Sequence, residues 1–366
     1  MTELNKTLSK NTCIKTLTIL CESRVSESSS DESLYSTVAS ANRSFQVCSH
    51  LLSENNTVTT YSLGGYLDLC PFLVLGLIRN KTLKKMILDN IDLDRENMNV
   101  WNEMMRQNTT LNELDIKRGL NTTAAMILFN SLKKNKGIEV FKLNECTFGE
   151  VGFMILRDLL TENTSIKKLE IKDLIKLRPN SQDENGNWRN LLHIINGLIN
   201  NNYIKDVCIS AHMQNALWEA DRLVAKGLRE LAANNKALIS LRIEGLKLTG
   251  AEICEIVQGL EENTSLETCA LCGNLIEWPD LCQILYLSRN LSTLKLLDLQ
   301  DNKIFTFSDL ETLRGHQAAQ NALNSMKESL VLLRSVKFQA KVTSWLLEPM
   351  YYPAEIQQIV KSLNIN

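Results

Sequence analysis

Most of the features that would assign this chain a chemistry are missing. No apolar run approaches the ~20 residues of a bilayer span; the longest, Leu69 to Ile78, falls well short. No basic excess exists either. Against 42 Asp and Glu stand 40 Lys and Arg, for a net charge of −2, which argues against a chain built to neutralise a phosphate backbone. The phosphate-cradling patterns G-x-x-x-x-G-K-[ST] and G-x-G-x-x-G are absent, so nothing supports a nucleotide site. The four histidines, His50, His193, His212 and His316, form neither H-E-x-x-H nor a spacing suited to a nucleophile and its base. Behind Met1 the residues Thr-Glu-Leu-Asn-Lys lack the apolar core of a secretory signal, so no such leader is expected.

The ten cysteines need a compartment. In a long chain without a leader they read as free thiols in a reducing cytosol rather than as a disulfide framework. The densest cluster, Cys269-x-x-Cys272 with Cys282 following, lacks the second ligand pair that zinc requires. No metal and no cofactor are expected.

What is abundant is Leu, 60 of 366 residues, and Asn, 36 of 366. That excess points to a repeat, and one phrase does recur. It begins with Asn, passes a Thr or Ser, and reaches an aliphatic residue followed three and five places later by two more apolar ones. Asn11 leads in this way to Ile14, Leu17 and Ile19. Asn80 leads to Leu83, Met86 and Leu88, and Asn108 to Leu111, Leu114 and Ile116. Asn135, Asn163, Asn201, Asn235 and Asn263 repeat it, Asn55 and a slipped Asn290 add two more, and the common step is 27 or 28 residues. Nine sequons accompany the phrase, and most use its own asparagine (Asn55, Asn80, Asn108, Asn163, Asn263, Asn290). Glycosylation would require secretion, whereas a structural role for the asparagine explains the recurrence without it.

The closing apolar pair alternates around one polar residue, the mark of a short strand with one buried face. Between strands the period becomes helical, as in Ile155, Leu156, Leu159 and Leu160 or Ile253, Ile256, Val257 and Leu260. Strand and helix cannot each bury an apolar face alone, so units must stack, and constant strand–helix–strand register implies parallel strands. Leu88, Ile116, Leu143, Ile171, Ile243 and Leu271 should therefore be buried on the same side of parallel strands.

The pattern Leu-x-x-Leu-x-Leu-x-x-Asn/Cys is read in Leu266–Asn274, Leu294–Asn302 and, with cysteine, Ile138–Cys146. It resembles the leucine-rich repeat of the ribonuclease-inhibitor-like subtype, as in NOD-like receptors and Ran GTPase-activating proteins. The resemblance implies an α/β solenoid or horseshoe of about ten to eleven irregular repeats, strands on the concave face and helices on the convex face. The family's Asn/Cys position holds Gly119 and Leu246 in two other repeats, whose turns must satisfy their backbone groups differently. The array is expected over 1–305, with inserted loops near 22–31 and 176–188. An irregular C-terminal repeat and helical cap is expected over 306–366, its strand at Leu333, Val336 and Phe338 or in a rival register at Leu330 and Leu332, with Trp345–Pro353 either folded across the last repeat as a cap or left as an exposed docking patch.

The resemblance also implies a binding role for the concave face. Residues flanked by inward apolar positions face outward: Thr18, Ser62, Ile87, Asp115, Lys142, Glu170, Cys208, Arg242, Ala270 and Asp298. Neighbouring columns add Lys84, Lys85, Lys117, Arg118, Lys172 and Glu244. Candidate partner contacts are Lys84, Asp115, Lys117, Lys142, Glu170, Lys172, Arg242, Glu244 and Asp298. The same charges could instead form cross-strand pairs that only stabilise the sheet. Mixed charge suits a protein partner rather than nucleic acid or membrane. The expected function is a cytoplasmic, non-catalytic protein-interaction scaffold. The alternative is a regulatory effector module, either a GTPase-activating-type repeat protein or a bacterial effector working in a host cytosol.

Overall fold

The structure is a computed structural model and describes residues 11, 13–21, 52–65, 71–90, 95–173, 186–211, 222–288, 291–302 and 339–342. The chain forms two compact units, 1–182 and 183–366. Both are built from the unit that the repeated phrase implies.

In the first unit the order is β1 (Thr16–Cys21), β2 (Thr60–Gly65), α1 (Pro71–Arg79), β3 (Lys85–Asp89), α2 (Arg95–Gln107), β4 (Glu113–Lys117), α3 (Thr122–Lys134), β5 (Val140–Asn144), α4 (Glu150–Glu162) and β6 (Lys168–Lys172). Each strand pairs in parallel with the next. The second unit runs α5 (Gly186–Ile199), β7 (Asp206–Ser210), α6 (Arg222–Asn234), β8 (Ser240–Glu244), α7 (Gly250–Leu260), β9 (Thr268–Ala270), α8 (Trp278–Leu287), β10 (Leu296–Leu299) and β11 (Gln339–Val342). From β7 to β11 the pairing is again parallel between neighbours. Consecutive helices pack side by side within each unit. This is an α/β repeat solenoid.

The apolar spacing does what it implies. Leu88, Ile116, Leu143, Ile171, Ile243 and Leu271 are all buried, at most 3% exposed, although β9 ends at Ala270 and Leu271 lies one residue past it. Of the helix residues singled out by period, Leu156, Leu159, Leu160, Ile253, Ile256, Val257 and Leu260 are buried too, while Ile155 is half-buried.

The asparagine of the phrase is the structural surprise. Asn55, Asn80, Asn108, Asn135, Asn163, Asn201, Asn235 and Asn263 are 1–4% exposed. In each, Oδ1 accepts from the backbone N–H groups two and three residues on, closing the turn into the strand, as Ser165 and Ile166 donate to Asn163. From Asn80 to Asn263, with Asn201 aside, Nδ2 donates to backbone carbonyls of the preceding repeat: Asn163 to Leu132 and Asn135, Asn235 to Leu198 and Asn201. The Thr or Ser of the phrase adds its hydroxyl. Ser165 donates to the Asn135 carbonyl at 2.9 Å and Thr57 to that of Asn11 at 2.9 Å. The sequon pattern is thus the ladder's own signature, since both of its polar side chains are consumed between repeats.

Strand exits follow a second rule. Two residues past the last apolar strand position the backbone is left-handed at Asn90, Arg118, Glu145, Asp173, Gly245, Gly273 and Asp301. There the N–H of Asn90, Arg118, Glu145, Gly245 and Gly273 donates to a carbonyl at or just past the end of the next strand, at 2.6–3.0 Å. The bond recurs both where the family's Asn/Cys is absent, after Asn90, Arg118 and Gly245, and where it is present, at Cys146 and Asn274. Where that asparagine exists it works across repeats, Asn274 donating to Ile243 and Asn302 to Leu271. Gly245 has φ +69°, and a Cβ there would lie 2.3 Å from the Ala211 carbonyl oxygen. Gly245→Ala should lower stability by about 2 kcal/mol or more, read by urea unfolding, because the left-handed conformation alone costs roughly 1–2 kcal/mol for an L-residue. An unchanged midpoint would contradict the close approach.

Two placements depart from expectation. The loop read over 176–188 ends earlier, because α5 begins at Gly186 and takes in Asn187 and Trp188. The last strand lies at 339–342, with Ala340 and Val342 in register with Leu297 and Leu299. It is therefore shifted by four residues from Val336 and Phe338; the stretch holds several overlapping alternations, and period alone does not choose between them. The expected loop at 22–31 and the cap at Trp345–Pro353 lie outside the described residues.

Candidate functional site

The outward columns of the strands are in register as the spacing demands. Thr18, Ser62, Ile87, Asp115, Lys142 and Glu170 align across β1–β6. Cys208, Arg242, Ala270 and Asp298 align across β7–β10. The two faces differ in how their charges are answered.

On the first unit the charges neutralise one another. Glu113 Oε1 sits 2.9 Å from Lys85 Nζ and 2.8 Å from Lys142 Nζ. Lys142 also reaches Glu170 at 3.9 Å, and Glu170 pairs with Lys172. Burial opposes ionisation of Glu113, but the two lysines outweigh it and hold its carboxyl below the usual range. Glu170 is lowered in the same way by Lys172 and Lys142 against the opposing effect of burial. One column over, Arg118 grips Asp89 with Nε and Nη2, each at 2.9 Å. Glu113, the hub of this network, was not singled out in the sequence. It lies two residues before Asp115, so the same alternation that exposed Asp115 would have exposed it. Lys84 falls one residue before β3 and out of step with the face; its neighbour Lys85 makes the contact.

Asp115 is the exception in that network. It is 6% exposed and accepts from Asn144 Nδ2 at 2.8 Å. Burial pushes its carboxyl up despite Lys117, Lys142 and Lys85 nearby. A carboxyl raised on folding destabilises the fold while ionised and costs nothing once protonated. Because its carboxyl is raised on folding, Asp115→Asn should raise stability at pH 7 and leave it unchanged at pH 3, where the carboxyl is protonated in both states. Thermal melts at both pH values decide this, and a loss at pH 7 would refute it.

On the second unit Arg242 Nε donates to Glu244 Oε1 at 3.1 Å, and Arg242 is held further protonated by Glu244 against the opposing effect of burial. The ends of β7–β10 border an open cavity of about 670 Å³ of mixed lining, with Ser210, Arg242, Glu244, Cys272, Asp298 and Gln300 among its residues. Sequence reasoning placed Arg242, Glu244 and Asp298 on this face but carried no signal for a cavity.

Cys13, Cys146, Cys208, Cys254, Cys269 and Cys272 are free. Burial pushes the thiols of Cys146 and Cys269 up to about 12. Cys272 also rises to about 12, chiefly by burial and then by Asp298. Among the described residues no group of His, Cys, Asp and Glu is arranged to hold a metal ion, and no helix is long and apolar enough to cross a membrane.

No protein-family model matches the chain, and no curated protein does. Solved structures do. Against the complex of Rad7 and Elc1 in yeast the TM-score is 0.46 at 15% identity, covering 93% of this chain and 75% of that one. Against a protein of Bacteroides fragilis it is 0.37 at 13% identity, covering 78% of this chain; the match spans 65% of the Bacteroides chain's length.

Proposed function

We propose that the chain is a non-catalytic scaffold of the ribonuclease-inhibitor-like leucine-rich repeat subtype, binding a protein partner in the cytoplasm through the exposed faces of its strands. The observation that carries this reading is the alignment of outward side chains across successive strands. It fixes a mixed-charge array at the strand spacing of about 4.8 Å, whose balance of charge favours a protein over nucleic acid. Free cysteines support a reducing compartment.

The test is a quantitative pull-down from cytosolic extract with the whole chain as bait. Lys117→Glu and Lys172→Glu change half-exposed positions of the strand face, and Lys226→Glu changes an exposed position of α6. Loss of the same captured protein with the strand-face pair, but not with Lys226→Glu, is expected. Loss with the helix variant alone would move the binding surface to the other side.

A further inference from the structure

Two helices of the first unit share an apolar outer face. The ladder asparagines set the register between them. Met126 and Ile127 of α3 precede Asn135 by the same steps as Met154 and Ile155 of α4 precede Asn163. Thr123 and Val151 lie one turn earlier on the same side of each helix. Val151 is 49% and Met154 39% exposed, and the other four are half-buried. The opposite sides of both helices fill the core, with Leu128 and Leu132 on α3 and Leu156 and Leu160 on α4. Because α3 packs against α4, the six outer side chains form one surface two helices wide. Counted in the same way, α6 places the exposed Lys226 where α4 has Met154, and α7 places Glu255 where α4 has Ile155. Folding therefore accepts charge at these places, and the core does not require Met and Ile there. A contiguous apolar patch on such a face marks a surface that meets another protein.

The rim of the patch says which protein. At the C-terminal ends of the same helices the charges are opposite. α3 ends in Lys133 and Lys134, whereas α4 has no basic residue in its last turn and ends in Glu162. Lys134 and Glu162 each stand one residue before the ladder asparagine, so they lie at the same level. Within the chain Lys133 answers the acids of α4, reaching Asp158 at 3.7 Å and Glu162 at 3.2 Å. Lys134 is exposed and makes no ion pair among the described residues, and the Glu162 side chain remains 58% exposed. A carboxylate in the last turn of a helix meets the negative end of its dipole, so a further cation there is favourable.

We propose that this face binds a second copy of the chain, about a two-fold axis that runs between α3 and α4 and parallel to them. A two-fold interface must be complementary to itself. Rotation about this axis lays α3 of one copy over α4 of the other, pointing the same way. Met126 then meets Met154, Thr123 meets Val151, and Lys134 meets Glu162, each of them twice. One patch thus supplies the apolar centre and both signs of its rim. The outward strand columns take no part, so the pairing leaves the proposed strand-face scaffold free to act.

The test is sedimentation equilibrium of the full chain across micromolar concentrations, where a reversible monomer–dimer equilibrium is expected. Met154→Glu should weaken the dimer by roughly tenfold or more, because it sets an unpaired carboxylate in the apolar centre twice. Its thermal midpoint in dilute solution should not change, since the position is exposed. Lys226→Glu, at the equivalent place on α6, should leave the dimer intact. The charges give a second test. Lys134→Glu and Glu162→Lys should each weaken the dimer, as each sets like charges opposite one another. An equimolar mixture of the two variants should restore it, because only the mixed dimer regains both opposite pairs. A chain that stays monomeric throughout overturns the proposal, and so does a dimer indifferent to Met154→Glu. Failure of the mixture to associate more tightly than either variant alone overturns the two-fold arrangement. A monomeric chain that loses a captured protein with Met154→Glu would assign the face to a different partner and overturn self-association.

Discussion

Asn263→Leu should lower the stability of the second unit by about 4 kcal/mol, among the largest effects of any polar substitution in the chain. The side chain closes four backbone hydrogen bonds. Oδ1 accepts from Ser265 at 2.8 Å and Leu266 at 2.7 Å, and Nδ2 donates to the carbonyls of Ala232 at 2.6 Å and Asn235 at 2.9 Å. Leucine matches the volume and leaves all four groups buried without partners, at roughly 1–3 kcal/mol each before relaxation. Asn263→Asp separates the two halves. It keeps the acceptor but turns a carboxylate toward two carbonyl oxygens, which raises its folded pKa. Its stability should therefore improve as pH falls through that value, when the protonated acid can donate one bond. Denaturant midpoints at pH 7 and pH 4 test both variants. A Leu variant within about 1 kcal/mol of the natural chain would show that the ladder fills space and does not bind repeats together.

That ladder explains why so much of the fold was legible. Its asparagine recurs in sequence because one geometry recurs in space, so the phrase marks each turn into a strand before any strand is known. Apolar residues at three-plus-two spacing then fix which side chains point outward, and the registers of Asp115 with Lys142 and of Cys208 with Arg242 follow. Legibility ends where position depends on contacts rather than period. The left-handed exits fall on Gly245 and Gly273, as a turn would suggest, but also on Arg118 and Glu145, residues that carry no turn signal. Those backbones are held by the N–H bond each gives the following strand. The strand expected at Leu333, Val336 and Phe338 falls four residues early because alternation continues through several registers. The pairing of charges could not be read either. Glu113 becomes a hub only because Lys85 and Lys142 come within 2.9 Å of it from two neighbouring strands, whereas Asp298 has Ala270 in register on one side and Lys341 on the other.

The core should answer most sharply at Phe129. It lies on α3, fully buried, with its ring edge-on to Phe141 of β5 at 6.1 Å and to Phe148 at 5.4 Å. Phe148 in turn stacks against Phe153 of α4 at 4.5 Å. One side chain thus joins the helix of one repeat to the strand and helix of the next. Phe129→Ala should cost about 3–5 kcal/mol, the transfer loss plus the cavity left behind. Because each repeat is stabilised mainly by its neighbours, amide exchange in α3 and α4 should accelerate together rather than in α3 alone. The edge contacts carry a separate signature. In a double-mutant cycle with Phe148→Ala the coupling should reach about 0.5–1.5 kcal/mol, the range of an aromatic pair beyond its buried area. Strict additivity would mean that the rings meet only as apolar volume, and faster exchange confined to α3 would mean that the cluster does not hold the two repeats together.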